Sequence, residues 1–357
     1  MEDGSNSLMK KMKSHKNLYR RICSFENLCL AFEKARKRKR KKKEVSNFEY
    51  NMERELLRII EELETLSYQP SSPKRFFLHE PKKRDIWVVD FRDRVVHHAL
   101  YNIIEPIFDR SFINDSYACR KYKGTHKAIR RFDAFKRKVT KNNTQKAYVL
   151  KADVKKYFDN ISHKILLEII RKKVKDEKTM QLIERIVENH EGKGELEGKG
   201  IPIGNLTSQL FANIYLNELD HFVKEKLKTR YYLRYMDDLI ILSHSTKILL
   251  ETKDKIKEFL DSCLNLRLHP QKTRIFPIIN GVDFLGYEIF YHYKLLRKGS
   301  VKRIEERIKY LNREYRRGKV RLLTVHASIM AWLGYAKHAN IYRLRSKLFQ
   351  NLHFLVN

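Results

Sequence analysis

The stretch Leu233–Leu242, which reads LRYMDDLIIL, places two adjacent carboxylates, Asp237 and Asp238, inside an otherwise apolar run. The pattern predicts a strand, a tight turn that carries both carboxylates, and a second strand. Burial of unpaired charge is costly, so such a run indicates that these two charges serve a purpose. Turn chemistry is the plainer alternative, because Asp tolerates the backbone angles of tight turns.

A third carboxylate, Asp153, ends a strand-like run predicted over Tyr148–Ala152. If this strand neighbours the Asp237–Asp238 hairpin, three carboxylates lie close together and need a neutralising cation, for which Mg²⁺ is the natural oxygen-ligated candidate. Two Mg²⁺ ions about 4 Å apart, with Mn²⁺ as a substitute, would stabilise the attacking and leaving oxygens of a phosphoryl transfer. A strand with Asp, then helices, then a hairpin with Asp-Asp is the order found in the palm of a nucleotide polymerase.

The charge balance indicates a polyanionic partner. The chain has 76 Lys and Arg residues against 43 Asp and Glu residues, a formal net charge of +33, and its hydrophobic content of 42% is enough for a sizeable core. Such a surplus favours binding to phosphates. No apolar run approaches the roughly 20 residues that span a bilayer, so nucleic acid is preferred over a membrane as partner. The four scattered cysteines fit a reducing cytoplasm.

A basic run at Lys34–Lys43, KARKRKRKKK, follows a helical stretch that ends near Ala35. The run is either a solvated tether or an arm that grips RNA phosphates, and the pattern leaves both open. The candidate RNA-binding residues in it are Lys34, Arg36, Lys37 and Arg38.

Further along the chain, periodicity predicts helices over Phe48–Leu66 and Leu206–Lys226, a strand at Val282–Phe290, and basic helices from Ser300 onward. Glycines predict a loop at His190–Gly200. We interpret His97 and His98 as packing or RNA-contacting residues, and Trp332 and Tyr335 as core residues of a C-terminal helix.

The YMDD tetrapeptide and six other segments, in this order, resemble the reverse transcriptases of the group II intron-like superfamily. Two segments resemble the fingers motifs, and the other four resemble palm motifs A, B, D and E. They are PKKRDIWVVDFRDRVVHHAL, SYACRKYKGTHKAI, KADVKKYFDNISHKIL, GIPIGNLTSQLFANIYLNELD, LRLHPQKTRI and GVDFLGYEI. The resemblance covers about residues 70–290. It implies an α+β right-hand polymerase fold with fingers, a ferredoxin-like palm and a helical thumb.

The resemblance also implies a domain division. We expect a basic N-terminal extension over 1–47, fingers over 48–147, a palm over 148–292 and a helical basic thumb over 293–357. The implied catalytic residues are Asp153, Asp237 and Asp238, which would also bind the metal ions, and Lys272, which would act as general acid near the leaving pyrophosphate.

Other roles follow from the same resemblance. Lys74 and Arg84 would hold the triphosphate of a dNTP, and Phe158 would block a 2′-hydroxyl. Gly204 would let the backbone approach the template–nucleotide pair, and Arg120 would contact the template or the incoming base. A solvated surface and core packing are the plainer interpretations of Lys74 and Phe158. Asn213 is carried over as a further motif B residue.

Motif B departs from the common QGxxxSP pattern, because Ile203 stands in place of Gln and Gln209 in place of Pro. Both are candidate nucleotide-binding residues, and the variant resembles the enzymes of diversity-generating retroelements. That resemblance implies error-prone copying of a template RNA at adenines, in the cytoplasm, by a bacterial, archaeal or phage-encoded protein. It also implies a cDNA/RNA hybrid as product and a small, basic, helical, oligomeric accessory protein as partner. A retron enzyme, a group II intron-like enzyme and an RNA-binding maturase-like protein are the alternatives.

Overall fold

The computed structural model describes residues 15–78, 84–189 and 198–350. The helices are α1 Tyr19–Cys23, α2 Phe25–Arg36, α3 Lys43–Tyr50, α4 Met52–Glu64, α5 Phe91–Asp109, α6 Thr125–Val139, α7 His163–Arg171, α8 Glu177–Glu188, α9 Leu206–His221, α10 Thr246–Leu264, α11 Lys298–Arg316, α12 Leu322–Ala336 and α13 Tyr342–Gln350. The strands are β1 Lys74–Leu78, β2 Arg84–Val88, β3 Tyr148–Asp153, β4 Tyr232–Tyr235, β5 Asp238–Ser243, β6 Arg274–Pro277, β7 Val282–Phe284, β8 Tyr287–Ile289 and β9 Lys294–Leu296. Most of the predicted loop at His190–Gly200 lies outside the described residues.

The central sheet has the strand order β4-β5-β3-β6, and each neighbouring pair is antiparallel. Along the chain, β3 leads through helices to the β4–β5 hairpin, and α10 then leads to β6. This is the ferredoxin-like β-α-β-β-α-β arrangement that the sequence predicts for the palm. The domain boundaries stay a prediction.

The N-terminal helices pack on α5 around an aromatic cluster. The ring of Phe32 stacks on Phe48 at 5.5 Å between centroids, and Phe91 meets both rings edge-on at 6.1 and 5.2 Å. The predicted helix over Phe48–Leu66 is in fact two helices, because Asn51 leaves the helical region with φ −109° and ψ 28°. The break lets α3 bury Phe48 in the cluster while α4 buries a separate apolar face.

The single strand predicted at Val282–Phe290 is wrong, since the segment forms a hairpin of β7 and β8 that is extended by β9. Leu285 and Gly286 make the turn with φ of 51° and 90°. Positive φ at both central positions is the geometry of a tight two-residue hairpin turn, and the glycine favours it.

The C-terminal helices are joined to this hairpin by a latch formed by Gly286, Tyr287 and Tyr335. The Tyr335 hydroxyl donates to the Gly286 carbonyl at 3.1 Å, and the Tyr287 hydroxyl donates to the Tyr335 carbonyl at 2.7 Å. A side chain at Gly286 would collide with the Tyr335 hydroxyl. Tyr335 and Trp332 pack against the buried cluster around the hairpin, as the core interpretation predicts.

The predicted helix over Leu206–Lys226 keeps its α-helical form only to His221 and continues as a π-helical turn over Phe222–Lys226. Across the described ranges, every helix is too short or too polar to cross a bilayer.

Candidate active site

The three candidate carboxylates meet at one end of the central sheet. Asp153 ends β3 and is the register partner of Asp238, the first residue of β5. Tyr235 and Asp238 pair across the β4–β5 hairpin, so Met236 and Asp237 form a two-residue turn. Met236 adopts a positive φ of 55°. The turn therefore presents Asp237 beside the Asp153–Asp238 pair.

The electrostatics of this corner indicate crowded negative charge. Burial, together with the charges of Asp238 and Asp153, raises the pKa of Asp237 to about 6. Burial also raises the pKa of Asp238, and Asp153 adds to that rise. A site that disfavours the ionised form of its carboxylates in this way is stabilised by a bound cation.

Lys272 supplies a cation to this corner. Its ammonium donates to both carboxylate oxygens of Asp153 at 2.9 Å. The loop that carries Lys272 is joined to the same strand end, because the backbone amide of His269 donates to the Asp153 carbonyl at 2.7 Å. The lysine predicted in motif D therefore lies at the carboxylates. It is bound to Asp153, one of the three candidate metal ligands.

The donor set fits a hard divalent cation, since it consists of carboxylate oxygens only. Within the described residues, however, no three His, Cys, Asp or Glu side chains are arranged so that they could hold a metal ion as they stand. The Lys272 ammonium covers the oxygens of Asp153. A metal ion bound by Asp153 would therefore have to displace the Lys272 ammonium.

Phe158 and its neighbour Tyr157 have different environments. Tyr157 is 2% exposed and donates from its hydroxyl to the Ala212 carbonyl at 2.5 Å, so it is a core residue. Phe158 is only partly buried, and its carbonyl accepts from the Ile201 amide at 2.9 Å. Phe158 thus lies between the strand that ends in Asp153 and the motif B segment. Its ring packs against the main buried cluster, and its contact with a nucleotide sugar stays a prediction.

The motif B loop contacts β2. The Ile203 carbonyl accepts from the Trp87 amide at 3.1 Å, and the Ile203 side chain is partly buried. Gly204 has a φ of 126°, and a Cβ there would lie 3.0 Å from Ile86 and 3.1 Å from the Trp87 carbonyl. The glycine is therefore needed for the approach to β2, and its predicted approach to a template–nucleotide pair stays a prediction. Gln209 is partly buried on α9.

The candidate triphosphate-binding residues are on the β1–β2 hairpin. Lys74 is exposed, and its ammonium lies 2.6 Å from a carboxylate oxygen of Asp90. Arg84 begins β2, opposite Leu78 in the register, and its side chain lies outside the described residues.

The structure does not favour the template contact predicted for Arg120. Its side chain is 8% exposed, and its guanidinium donates to the Asp109 carboxylate at 2.6 Å and to the Ile113 and Ser116 carbonyls at 2.7 and 3.0 Å. These bonds occupy the donors that would contact a base. Arg120 instead braces the loop between α5 and α6.

The basic run is folded against the protein, which argues against a free tether. Lys34 donates to Asn102 on α5 at 2.5 Å, and Arg36 forms ion pairs with Glu33 and Glu49. Arg36 is thus engaged internally, which argues against its predicted RNA contact. The turn after α2 leaves Lys37 and Arg38 exposed, and they stay candidate phosphate contacts.

A buried polar cluster behind the Met236–Asp237 turn was missed from the sequence. Arg234 on β4 forms an ion pair with Asp220 on α9, and both side chains are 0% exposed. Asn213, carried over only as a motif B residue, accepts from Arg234 and donates to the Ala118 carbonyl at 2.9 Å. The available signal was an arginine within the apolar run YYLRY, because a buried Arg needs a partner.

His97 and His98 are packing residues on α5. His97 is fully buried and lies 3.3 Å from the Thr207 hydroxyl on α9. Burial lowers the pKa of both histidines to about 4, and nearby cations add to the effect at His98.

Comparison with known proteins identifies the class. The reverse transcriptase (RNA-dependent DNA polymerase) family matches residues 73–289, more than half of the chain. The chain therefore belongs to the reverse transcriptase family and is an RNA-directed DNA polymerase by class. The matched range includes all three candidate carboxylates and Lys272.

Two relatives illustrate the similarity. The chain is 28% identical to Protein YkfC of Escherichia coli (strain K12) over 284 residues, which cover 69% of this chain and 72% of YkfC. It is 25% identical to the Group II intron-encoded protein LtrA of Lactococcus lactis subsp. cremoris over 323 residues, which cover 70% of this chain and 51% of LtrA. The chain thus spans about half the length of LtrA. A solved structure of apo telomerase from Candida tropicalis, truncated from its C-terminal domain, has a TM-score of 0.48 at 16% identity and covers 63% of this chain and 55% of that one.

Proposed function

We propose that this chain copies a template RNA into DNA at the corner formed by Asp153, Asp237 and Asp238, and that these carboxylates bind two Mg²⁺ ions. The family generally uses divalent metals such as Mg²⁺. The observation that carries the proposal is the register pairing of Asp153 with Asp238 beside the turn that holds Asp237. When bound, the ions would stabilise charge on the attacking and leaving oxygens.

The side chains around this corner have complementary roles in the proposal. Phe158 would contact the sugar of an incoming dNTP and exclude a 2′-hydroxyl. Lys272, once it leaves Asp153, can give a proton to the departing pyrophosphate. Lys74 on the β1–β2 hairpin can exchange its carboxylate partner Asp90 for a triphosphate oxygen. The net charge of +33 supplies the attraction to the template RNA and to the cDNA/RNA hybrid.

Primer extension on a defined RNA template tests this proposal. We expect Asp237→Asn to lower DNA synthesis by at least about 100-fold, because it removes a charge from the reacting centre. Template affinity should stay unchanged, since the substitution keeps the shape of the turn. Asp254→Asn, at an exposed carboxylate on α10, is the matched control and should extend like the parent. Near-normal extension by Asp237→Asn would refute the proposed site.

We further propose that copying is error-prone at template adenines, as in diversity-generating retroelements. The proposal rests on Ile203, whose apolar side chain cannot form the hydrogen bonds of the glutamine common at this position. Loss of a polar contact reduces the penalty for a mispair, since unpaired polar groups are what reject wrong partners. Packing of Ile203 alone, with fidelity set elsewhere, is the plainer alternative.

Sequencing of the cDNA decides between these possibilities. We expect the parent to misincorporate mainly opposite adenine, and Ile203→Gln to lower that error about tenfold. Ile203→Val keeps the side chain apolar and should keep the error. Errors spread evenly over the four template bases would instead favour a retron or group II intron-like enzyme, and RNA binding without synthesis would favour a maturase-like protein.

A small, basic, helical, oligomeric accessory protein and action in the cytoplasm, as a bacterial, archaeal or phage-encoded protein, belong to the same proposal. The large positive charge suits a complex in which two basic proteins share one RNA. Co-expression with the product of a neighbouring small reading frame, followed by size-exclusion chromatography with the template RNA, tests the partnership. Separate elution of the two proteins, with and without the RNA, would contradict it.

A further inference from the structure

Arg234 forms the centre of a buried network next to the Met236–Asp237 turn. Its Nε donates to both oxygens of Asp220 at 2.8 and 3.0 Å, and its Nη2 donates to Asp220 Oδ2 at 2.7 Å. The Tyr232 hydroxyl donates to the same carboxylate at 2.6 Å. Asp220 therefore fixes the plane of the guanidinium from the α9 side.

The remaining nitrogen of Arg234 faces the turn. Nη1 donates to the Met236 carbonyl at 3.0 Å and to Asn213 Oδ1 at 3.2 Å. The Arg234 backbone is held as well, because its amide donates to the Asp115 carbonyl at 2.9 Å and its carbonyl accepts from the Tyr117 amide at 3.0 Å. One residue thus connects α9, the loop before α6 and the carbonyl that precedes Asp237.

The turn needs such support. Met236 has a φ of 55°, a left-handed backbone conformation that is unfavourable for residues other than glycine. Its carbonyl belongs to the peptide bond that leads to Asp237, so the orientation of that peptide sets the direction of the Asp237 carboxylate. A hydrogen bond from a rigid, fully buried donor holds that peptide in one orientation.

We propose that Arg234, oriented by Asp220, is a positioning residue that fixes the Met236–Asp237 turn and thereby the carboxylate of Asp237. This inference rests on the proposed function, since it assigns Arg234 to the same reacting centre.

The chemistry of arginine explains why this residue type stands here. A guanidinium can bind a carboxylate through two nitrogens and still donate to a carbonyl through the third. A lysine ammonium offers the charge without this planar geometry. A buried ion pair is moreover weak evidence for stability, because apolar residues of similar volume often serve equally well. The bond to the Met236 carbonyl gives the pair a task that apolar residues could not perform.

Arg234→Lys tests the positioning role in the full chain with RNA template, primer and dNTPs. We expect kcat to fall about 30-fold, KM for dNTP to change less than about threefold, and template affinity to stay at the parent value. Mn²⁺ binding, followed by electron paramagnetic resonance without turnover, should weaken about tenfold. Arg185→Lys is the control, because Arg185 donates to the carbonyls of Leu66 and Tyr68 far along the chain from the turn. The control should keep the parent kcat and Mn²⁺ affinity.

The double variant Arg234→Met with Asp220→Leu separates folding from positioning. It removes both buried charges together but leaves the Tyr232 hydroxyl and Asn213 Oδ1 without these partners. We therefore expect a lowered melting temperature with a cooperative transition, and the same loss of kcat and Mn²⁺ affinity as in Arg234→Lys. Parent-like kcat and Mn²⁺ affinity in either variant would overturn the inference. Failure of both variants to fold would overturn it too, because the pair would then hold the fold instead of the turn.

Failure of the inference and failure of the proposed function give different results. If the proposed function is wrong, the parent makes no DNA on RNA, or Asp237→Asn is as active as the parent. If only the inference is wrong, the parent extends the primer, Asp237→Asn does not, and Arg234→Lys extends like the parent.

Discussion

Lys272 and Asp153 form a bidentate ion pair, in which the ammonium lies 2.9 Å from each carboxylate oxygen. The two residues are 119 positions apart in sequence and are joined through the loop that pairs with the end of β3. In the proposed function, the same lysine neutralises Asp153 before a divalent cation binds and donates a proton afterwards. Removal of the lysine side chain should therefore have opposite effects on metal affinity and on the rate of DNA synthesis.

Lys272→Met should therefore strengthen Mn²⁺ binding while it slows DNA synthesis. Loss of the ammonium exposes the Asp153 carboxylate to the ion, so affinity should rise about tenfold. Loss of the proton donor should lower kcat about 100-fold. Electron paramagnetic resonance and single-turnover extension measure the two effects. Lys155→Met, at an exposed lysine near Asp153, should change neither; a parallel loss of affinity and rate in Lys272→Met would contradict the assignment.

Phe158→Ala should admit ribonucleotides, because the missing ring leaves room for a 2′-hydroxyl. We expect the preference for dNTP over rNTP, measured as a ratio of kcat/KM values, to fall at least about tenfold. Phe158→Tyr retains the ring and should keep the preference. An unchanged preference in Phe158→Ala would place the sugar discrimination elsewhere.

Template affinity should fall steeply with salt, and the exposed turn after α2 should contribute to the slope. Each lost contact to a single-stranded phosphate lowers the slope of log affinity against log salt by about 0.7. Substitution of Lys37, Arg38 and Lys41 by Gln should thus reduce the slope by up to about 2 units. Filter binding at several salt concentrations measures it.

A charge-matched control tests whether this loss is local to the turn. Lys247, Lys255 and Lys257 are exposed on α10, a helix that contacts β3, β5 and β6 of the central sheet. Their substitution by Gln removes the same charge and should leave the slope nearly unchanged. Equal losses in the two triple variants would show a general effect of net charge.

Protonation of His97 should destabilise the protein between about pH 6.5 and pH 4, while the raised pKa of Asp237 acts in the opposite direction. Burial lowers the pKa of His97 to about 4 from 6.5, so the unfolded chain binds a proton in this window before the folded chain does. The stability of the neutral form is complete above pH 6.5 and is lost as the pH falls through the window. The full loss is about 3 kcal/mol.

Denaturant unfolding from pH 7.5 to pH 4 measures this loss. His97→Gln cannot take up the proton and should remove the His97 share of the acid loss, while His98, whose pKa is also lowered to about 4, keeps its own share. His244→Gln, at an exposed position, should leave the limb as it is. An unchanged limb in His97→Gln would assign the acid loss to other groups.

Strand signals and carboxylate positions made the centre of the fold predictable. The strand-like run before Asp153 and the apolar residues around Asp237 and Asp238 indicate strands, and the structure shows that they are neighbours by pairing Asp153 with Asp238. The ferredoxin-like sheet was expected from the resemblance of the motifs, and the observed order of elements and strand pairing agree with it.

Tertiary contacts decided what the sequence could not show. In the sequence, Arg36 cannot be distinguished from the other cations of the basic run. In the structure it forms an ion pair with Glu49, which lies on another helix. Arg120 likewise reads as a free cation until Asp109 and two carbonyls surround it. Asp220, the partner of Arg234, lies 14 positions away on α9. The residue pattern of the strand that contains Arg234 cannot reveal this partner.

The latch between Gly286 and Tyr335 has a consequence for evolution and engineering. The absence of a side chain at Gly286 makes room for the Tyr335 hydroxyl, so the two positions are compatible only as a pair. A chimaera that joins these C-terminal helices to the sheet of a relative must carry a glycine in the β7–β8 turn along with the tyrosine. Any chimaera built from this chain therefore depends at this junction on one hydrogen atom at Gly286 and one hydroxyl at Tyr335.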